Sequence, residues 1–395
     1  MEEFLLTLGI LTTAISLLIL LLKQFRQPYL IAYTLAGIVL GPHVLRFIEK
    51  HHEIEIIGEV GIILHMFFLG MELEWPHHSR FMWKPVSFQL LKSLTCLLAA
   101  FAGVYFLNLS LTTAIVLAFI LMLNNTSVAS EYLKRNQEHS TSLGVLVLSV
   151  LVIQDIAFAP LLSSLGFLGS QSVSIWKLAR TVIATVLVTL LILRVNKVEQ
   201  ITLPWEKTIR DDHDLQLFLG LMLCFGLAIV SSSIGLTASL GAFASGILVK
   251  KIRAFNWIEH TLHPFRTFFM AIFFVYMGLL FDLEYFKANL SLIFLLLGFL
   301  FFFQNLISAL CFRVLNYSWR SSIYSGALLS NVGELSLVIC LLAFQMKLIN
   351  SDILKLVISV AILSILFTAV WTGIIKAFIY PKPEYRGSAL RETVQ

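Results

Sequence analysis

A glutamine and an aspartate stand side by side, as Gln154 and Asp155, in the otherwise apolar stretch LSVLVIQDIAFAPLL. A carboxylate at the centre of a membrane costs about 3 kcal/mol to insert, and such residues usually mark functional sites. A carboxylate sheltered from water can hold a proton or a partly dehydrated monovalent cation, but hardly both. Because the two ions compete for one site, binding of one releases the other, which is an exchange mechanism. The Gln154 amide adds a hydrogen-bond donor and an acceptor to this site without a second charge. We therefore predict Asp155 as the ligand of a monovalent cation in electroneutral exchange for a proton.

Two other apolar stretches carry polar interruptions. Asparagine and glycine weaken helices, and a helix break at membrane depth is tolerated where it lines a cavity or is buried in protein. Broken helices also present carbonyl groups and N-terminal dipoles to an ion. We expect one stretch to bind the ion together with Gln154 and Asp155, namely Asn124, Asn125, Thr126 and Ser127. We expect the other to support its broken helix, through Ser330, Asn331 and Glu334.

Structural roles remain open for several of these residues. Asp155 could bond a helix break near Pro160, the polar residues from Asn125 to Ser127 could join helices, and Glu334 could partner broken backbone. Gln304 and Glu59, which also lie in apolar segments, are further candidates for the site.

The composition indicates an all-α polytopic membrane protein. Apolar residues make up 58% of the 395 residues and charged residues only 13%, about half the charged fraction of a soluble domain. Many apolar runs reach 18 residues, the length that spans a bilayer, and they predict about thirteen transmembrane helices. The four cysteines fall in or beside these runs and are expected to be buried free thiols. The net charge of +5 does not indicate a nucleic-acid partner, and the lipid bilayer is the expected environment.

Lys and Arg in the loops predict the orientation. If the N-terminus is outside, the cations concentrate in the inward-facing segments, for example Lys134 and Arg135, which is the distribution of an inserted protein. The expected location is the inner (plasma) membrane, with the C-terminus cytoplasmic.

The two halves of the chain share short motifs at one offset. LAGIVL (35–40) resembles ASGILV (244–249), and FFLGMEL resembles VYMGLLFDL with Gly70 on Gly278. The offset of about 208–209 residues also places Asn125 on Glu334. Because an odd number of spans separates the matched elements, we predict inverted six-helix repeats at about 4–166 and 214–380. A linker helix at about 175–195 joins them, and inverted repeats are typical of secondary transporters.

Several motifs, in order along nearly the whole chain, resemble the Kef-type potassium/proton antiporters of the monovalent cation:proton antiporter-2 family. The motifs are YLIAYTLAGIVLGP, GEVGIILHMFFLGMEL, IQDIAFAPLL, GLTASLGAFASGILV, PFRTFFMAIFFVYMGLLFD and NVGELSLV. The resemblance implies an exchanger domain at 1–381 with two broken crossing helices. It also implies a core domain, a dimerisation domain and a homodimer. It implies that Gln154 and Asp155 mark the potassium-type subgroup, with K⁺ or Na⁺ and H⁺ transported and no resident cofactor.

The chain departs from the family pattern at two places. Asn124-Asn125-Thr126 stands where relatives have Ser-Ser-Thr, and Phe303 or Gln304 stands where relatives often carry a basic residue in the eleventh helix. With Phe303 or Gln304 at that place, we predict that Asp155 has no internal basic partner. Lys92, near the start of the fourth span, is expected to extend to the membrane surface. The tail at 382–395 is cytoplasmic and allows two interpretations: a chain truncated before a regulatory domain, or a bare transport domain.

Two other functions compete with exchange. A cation channel or leak pathway would need no proton coupling, and an ion-coupled organic anion symporter would need a cationic or amide-rich pocket. An enzyme is not expected, because the sequence contains neither a DDxxD motif nor the HExxH spacing of a metal site.

Overall fold

The computed structural model describes residues 2–24, 29–47, 51–72, 83–168, 201–202, 206–234, 236–261 and 263–380. Within these ranges the regular structure is helical, apart from an isolated parallel bridge between Ile201 and Ile252, so the predicted all-α class is confirmed. The predicted linker helix at 175–195 and the tail at 382–395 lie outside the described residues.

The helices are numbered here in chain order. The first ten are α1 (Glu2–Gln24), α2 (Tyr29–Leu40), α3 (His51–Glu72), α4 (Trp83–Leu107), α5 (Leu111–Met122), α6 (Thr126–Arg135), α7 (Ser142–Leu168), α8 (Glu206–Arg210), α9 (His213–Ser233) and α10 (Ala238–Lys251). A 3₁₀ turn at Arg253–Phe255 precedes α11 (Asn256–Thr261), α12 (His263–Leu279), α13 (Leu283–Ala288), α14 (Leu290–Val314), α15 (Trp319–Leu328), α16 (Glu334–Gln345) and α17 (Ser351–Ile379).

Six helical segments of the described chain are long and apolar enough to cross a bilayer, which agrees with a multi-pass membrane protein. They are Trp83–Phe106, Leu111–Arg135, Ser142–Gly166, His213–Ser233, Leu290–Val314 and Ser351–Ile379. Shorter apolar helices occur at Thr12–Leu22, Tyr29–Leu40, Glu59–Met71, Thr267–Leu279 and Glu334–Gln345. Two of the predicted spans, at 111–133 and 319–345, each comprise two helices with a non-helical segment between them.

The described chain forms two compact units. The first comprises Met1–Leu21, Ala32–Trp75 and Ala157–Leu280. In it α3 packs against α10 and α12, and glycines bring helix backbones into contact. A Cβ added to Gly246 would lie 2.0 Å from the carbonyl oxygen of Phe67, and one added to Gly37 would lie 2.1 Å from that of Val275. Small residues of this kind allow membrane helices to approach closely.

The second unit comprises Leu22–Ile31, Pro76–Ile156 and Phe281–Gln395. In it α4 packs on α5 and α14, α15 packs on α14 and α17, and α16 packs on α5 and α17. An apolar cluster holds these helices together, and in it the rings of Phe88 of α4 and Phe312 of α14 meet at a tilt, with 4.4 Å between their centroids. The four cysteines of the chain are buried and free, as predicted. The second unit contains both interrupted helices.

Candidate ion-binding site at two broken helices

The first break lies between α5 and α6. The chain leaves the helix after Met122, runs extended through Leu123 and Asn125, and becomes helical again at Thr126. Asn125 is the N-cap of α6, because its side-chain oxygen accepts a hydrogen bond of 2.9 Å from the backbone N–H of Val128. The amide that disfavours a continuous helix therefore also stabilises the start of the next one.

The second break lies between α15, which ends at Leu328, and α16, which begins at Glu334. A Cβ added to Gly333 would lie 2.5 Å from the carbonyl oxygen of Asn124, so glycine is required where the two breaks touch. The backbone N–H of Val332 donates to Ser364 of α17 at 3.2 Å. The second break is thus held on one side by α17 and on the other by the first break.

Several hydrogen bonds join the two breaks. The N–H of Gly333 donates to the carbonyl of Leu123 at 3.3 Å, and the N–H of Asn125 donates to the side-chain oxygen of Asn331 at 2.7 Å. Ser336 adds a bond from its hydroxyl to the carbonyl of Leu123 at 3.0 Å. Backbone groups that the helix breaks leave without intrahelical partners therefore satisfy one another, as buried polar groups at membrane depth must.

Asn124 is the most connected side chain of the crossing. Its Nδ2 donates to the carbonyl oxygens of Leu329 at 2.7 Å and Asn331 at 2.8 Å. Gln154 of α7 forms a reciprocal pair with it: Gln154 Oε1 accepts from the Asn124 backbone N–H at 2.9 Å, and Gln154 Nε2 donates to Asn124 Oδ1 at 3.1 Å. Both side chains are buried, and together they bind α7 to the crossing.

Asp155 lies at the more open edge of this network. Its carboxylate accepts from the Thr126 hydroxyl, at 3.2 Å to Oδ1 and 3.4 Å to Oδ2. Asp155, Thr126 and Ser127 are half-buried, whereas Asn124 and Asn125 are buried. The charge of Glu334, which is buried in the first turn of α16, acts on Asp155. A partly accessible carboxylate beside the N-terminus of α6 is thus placed where an ion could be exchanged.

Two further predicted residues support the breaks. Gln304 of α14 is buried and donates to the carbonyl of Leu121 in the last turn of α5, at 2.6 Å. The Ser330 hydroxyl donates at 2.7 Å to the carbonyl of Ala327 in the last turn of α15. Glu59, in contrast, is exposed on α3 in the first unit. The structure therefore brings together the predicted site residues of the second unit, with one exception. Ser127 lies in the first turn of α6, and no contact with the other site residues is described for it.

The prediction for Lys92 is wrong. Its side chain does not extend to the membrane surface but is fully buried, and it donates a hydrogen bond to Asn124 Oδ1. Lys92 is thus an internal basic residue whose hydrogen bond goes to Asn124, and the absence of a basic partner for Asp155 itself stays a prediction. A signal was present in the sequence: Gln89, Lys92 and Ser93 are spaced three and four residues apart and so share one face of α4. Gln89 bonds both Ser93 at 3.3 Å and the carbonyl of Met122 at 3.5 Å, which makes this face the one directed at the first break.

Comparison with known proteins shows the family to which this chain belongs. The profile of the family described as "Sodium/hydrogen exchanger, transmembrane" matches residues 10–377. The chain is 27% identical over 357 residues to the protein named iron transporter MagA of Paramagnetospirillum magneticum, covering 89% of this chain and 81% of that protein. It is 24% identical over 366 residues to a glutathione-regulated potassium-efflux system protein of Haemophilus influenzae, covering 91% of this chain and 59% of the relative.

A solved structure shares the fold. The sodium/proton antiporter MjNhaP1 of Methanocaldococcus jannaschii superposes with a TM-score of 0.65 at 16% identity, covering 94% of this chain and 98% of that one. K(+) efflux antiporter 4 of Arabidopsis thaliana is 22% identical over 90% of this chain, which spans 61% of that relative. The chain thus spans about three fifths of these potassium-efflux relatives, whose names confirm the resemblance drawn from the motifs.

Proposed function

Because the chain belongs to the transmembrane sodium/hydrogen exchanger family, we propose that it exchanges K⁺ for H⁺ across the membrane by alternating access at Asp155. One observation carries the proposal: a half-buried carboxylate lies beside the hydrogen-bonded crossing of two broken helices. Exchange at a single carboxylate moves one positive charge in each direction, so the reaction is electroneutral.

The side chains around Asp155 have distinct roles in this proposal. Thr126 and Ser127, in the first turn of α6, supply hydroxyl oxygens that replace water around a partly dehydrated cation. Gln154 and Asn124 hold each other in one orientation through their reciprocal hydrogen bonds, and Asn125 caps α6. Glu334, Ser330 and Asn331 keep the second break in position, so the ion meets preformed oxygen ligands rather than a mobile loop.

The choice of K⁺ rests on the Gln154–Asp155 pair and on relatives named as potassium-efflux proteins. Another relative is named an iron transporter. Fe²⁺ therefore belongs in the panel of cations to be tested, beside the alkali ions.

Alternating access fits an internal symmetry of the first unit. The repeat offset carries Gly37 to Gly246 and Gly278 to Gly70. In the structure a Cβ on Gly37 would lie 3.0 Å from the Cα of Gly278, and one on Gly246 would lie 3.0 Å from the Cα of Gly70. The repeat offset therefore maps the contact between Gly37 and Gly278 onto the contact between Gly246 and Gly70, which supports inverted repeats.

In the proposed transporter the second unit is the core ion-binding domain and the first unit is the dimerisation domain. The protein is a homodimer in the inner membrane.

Proteoliposomes that contain a pH-sensitive dye test the proposal. An outward gradient of each alkali cation in turn should drive proton uptake, with K⁺ the most effective, and Fe²⁺ under reducing conditions is assayed in the same way. Asp155→Asn should abolish this flux, because an amide cannot exchange a proton for a cation. Asp211→Asn makes the same substitution at an exposed position and should leave the flux unchanged.

Four results would contradict the proposal. Cation-driven proton flux that persists in Asp155→Asn would exclude the site. Single-channel currents without proton coupling would favour a channel, and uptake that requires an organic anion would favour a symporter. An imposed diffusion potential that changes the initial exchange rate several-fold would exclude electroneutral exchange.

A further inference from the structure

A buried lysine of the second unit is not used by the exchange mechanism. Lys92 lies on α4, three turns from its start at Trp83, with none of its surface exposed to solvent. An ammonium group removed from water needs polar partners, and the side chain of Asn124 provides one. Two buried thiols lie near Lys92, Cys96 of its own helix and Cys311 of α14, and a thiol carries no charge that could pair with the ammonium group.

A single amide connects this ammonium group to the ion site. Asn124 Oδ1 accepts from both Lys92 Nζ and Gln154 Nε2, and Gln154 immediately precedes Asp155. The other end of the Asn124 amide donates to the second break, three residues before Glu334. The Lys92 ammonium group is therefore connected to the ion site through Asn124.

The net charge of the ion site follows from three ionisable groups. With all three groups ionised, Asp155 and Glu334 contribute two negative charges and Lys92 one positive charge, so the empty site carries one net negative charge. One monovalent cation, or one proton, makes it neutral. Without the lysine the empty site would carry two negative charges. A net charge in a poorly solvated region is costly, so uptake of a single positive charge makes the site neutral only when the lysine is charged.

We propose that Lys92 is the fixed countercharge of the ion site and limits the positive charge taken up in each half-cycle to one. The proposal rests on the proposed exchange at Asp155. It assigns to Lys92 a positioning role, through Asn124, that adjusts the affinity of the site for cations and protons rather than binding either.

Lys92→Gln tests the charge separately from the hydrogen bond, because a glutamine amide can still donate to Asn124 Oδ1. The readouts are the KM for K⁺ of proton flux in proteoliposomes at alkaline pH, the kcat, and the pH profile. At a separation of about 10 Å and an effective dielectric constant of about 20, a unit charge changes the binding constant of a monovalent ion by roughly tenfold or more. We therefore expect KM to fall roughly tenfold, kcat to fall because the cation leaves more slowly, and the pH profile to move about one unit towards alkaline.

Matched variants distinguish charge from packing. Lys347→Gln removes a positive charge from an exposed loop and should leave KM and the pH profile unchanged. Glu334→Gln should change both in the direction opposite to Lys92→Gln. The double variant Lys92→Gln/Glu334→Gln restores one net negative charge, so it should return KM and the pH profile close to those of the original protein.

The outcomes separate this proposal from the proposed function. If Asp155→Asn abolishes exchange while Lys92→Gln leaves KM and the pH profile unchanged, the countercharge is excluded and the exchanger remains. A change in Lys92→Gln that Glu334→Gln does not reverse would show a packing role and would also overturn the proposal. If Lys92→Gln alone does not fold, the double variant is compared with Glu334→Gln: a KM returned close to that of the original protein supports the countercharge, and a KM as high as that of Glu334→Gln excludes it.

Discussion

At the scale of single residues, Asn124 determines the geometry of the site. Its amide uses both hydrogens on carbonyl groups of the second break and its oxygen on donors from α4 and α7. The sequence predicted Asn124 as an ion-binding residue. The structure gives it this organising role, because its polar atoms already have protein partners whereas Asp155 remains partly accessible.

Replacing Asn124 by alanine should therefore affect stability as well as transport. The substitution leaves two buried carbonyl groups and the Lys92 ammonium group without a partner, and each unsatisfied buried polar group costs about 1–3 kcal/mol. We expect a loss of about 3 kcal/mol in the free energy of unfolding, measured as a lower thermal midpoint of the detergent-solubilised protein. Asn136→Ala is the control, because the Asn136 side chain is exposed and water can replace its bonds. Equal midpoints for the two variants would contradict this role.

At the scale of elements, two helix breaks act as one structural unit. The polar residues in apolar sequence predicted interruptions at Asn124–Ser127 and at Ser330–Glu334, and non-helical segments lie at or directly before those positions. Which groups of one break meet which groups of the other was not predictable, because Asn125 and Asn331 are 206 residues apart and helical periodicity carries no information on such contacts. Gly333 illustrates this, since only the neighbouring Asn124 backbone explains why no side chain fits there.

Gly333→Ala should separate the two breaks. The new methyl group would lie 2.5 Å from the Asn124 carbonyl oxygen, and overpacking of this kind typically costs about 1–3 kcal/mol. We expect at least a tenfold loss of cation-driven proton flux, because the crossing no longer holds Asn124 beside Gln154. The backbone of Gly333 has φ −80° and ψ 166°, which alanine adopts readily, so any effect would report packing and not strain.

Gly298→Ala on α14 is the matched control. Apart from the chain neighbours and the helix's own backbone, no atom of the described residues lies within 4 Å of a Cβ added there. Alanine is also the better helix former by up to about 1 kcal/mol. Flux and thermal midpoint should therefore equal or slightly exceed those of the original protein. A Gly333→Ala variant that transports as well as Gly298→Ala would show that the close contact between the breaks is dispensable.

At the scale of the whole molecule, the cations in the loops predict the orientation in the membrane. Ser140, in the loop between α6 and α7, should face the cytoplasm, and Ala288, at the end of α13, should face outside; both are exposed. Cysteines introduced at these positions can be labelled with a membrane-impermeant maleimide in right-side-out and inverted vesicles. The native cysteines are buried, so background labelling should be low. Ser140→Cys should react only in inverted vesicles and Ala288→Cys only in right-side-out vesicles; the reverse pattern would invert the predicted topology.

The sequence alone determined that this chain is an α-helical membrane protein, where its helices are interrupted, and that Gln154 and Asp155 lie near one interruption. These properties follow from composition and from short apolar runs, which are local. The tertiary structure decided which distant groups share a hydrogen bond. In it Lys92 is buried against Asn124, which lies 32 residues away in the sequence. The same Asn124 amide is oriented by its hydrogen bond to the carbonyl of Leu329. Side-chain direction on a packed helix depends on the neighbours that cover it, so only the assembled helices could place a positive charge beside the ion site.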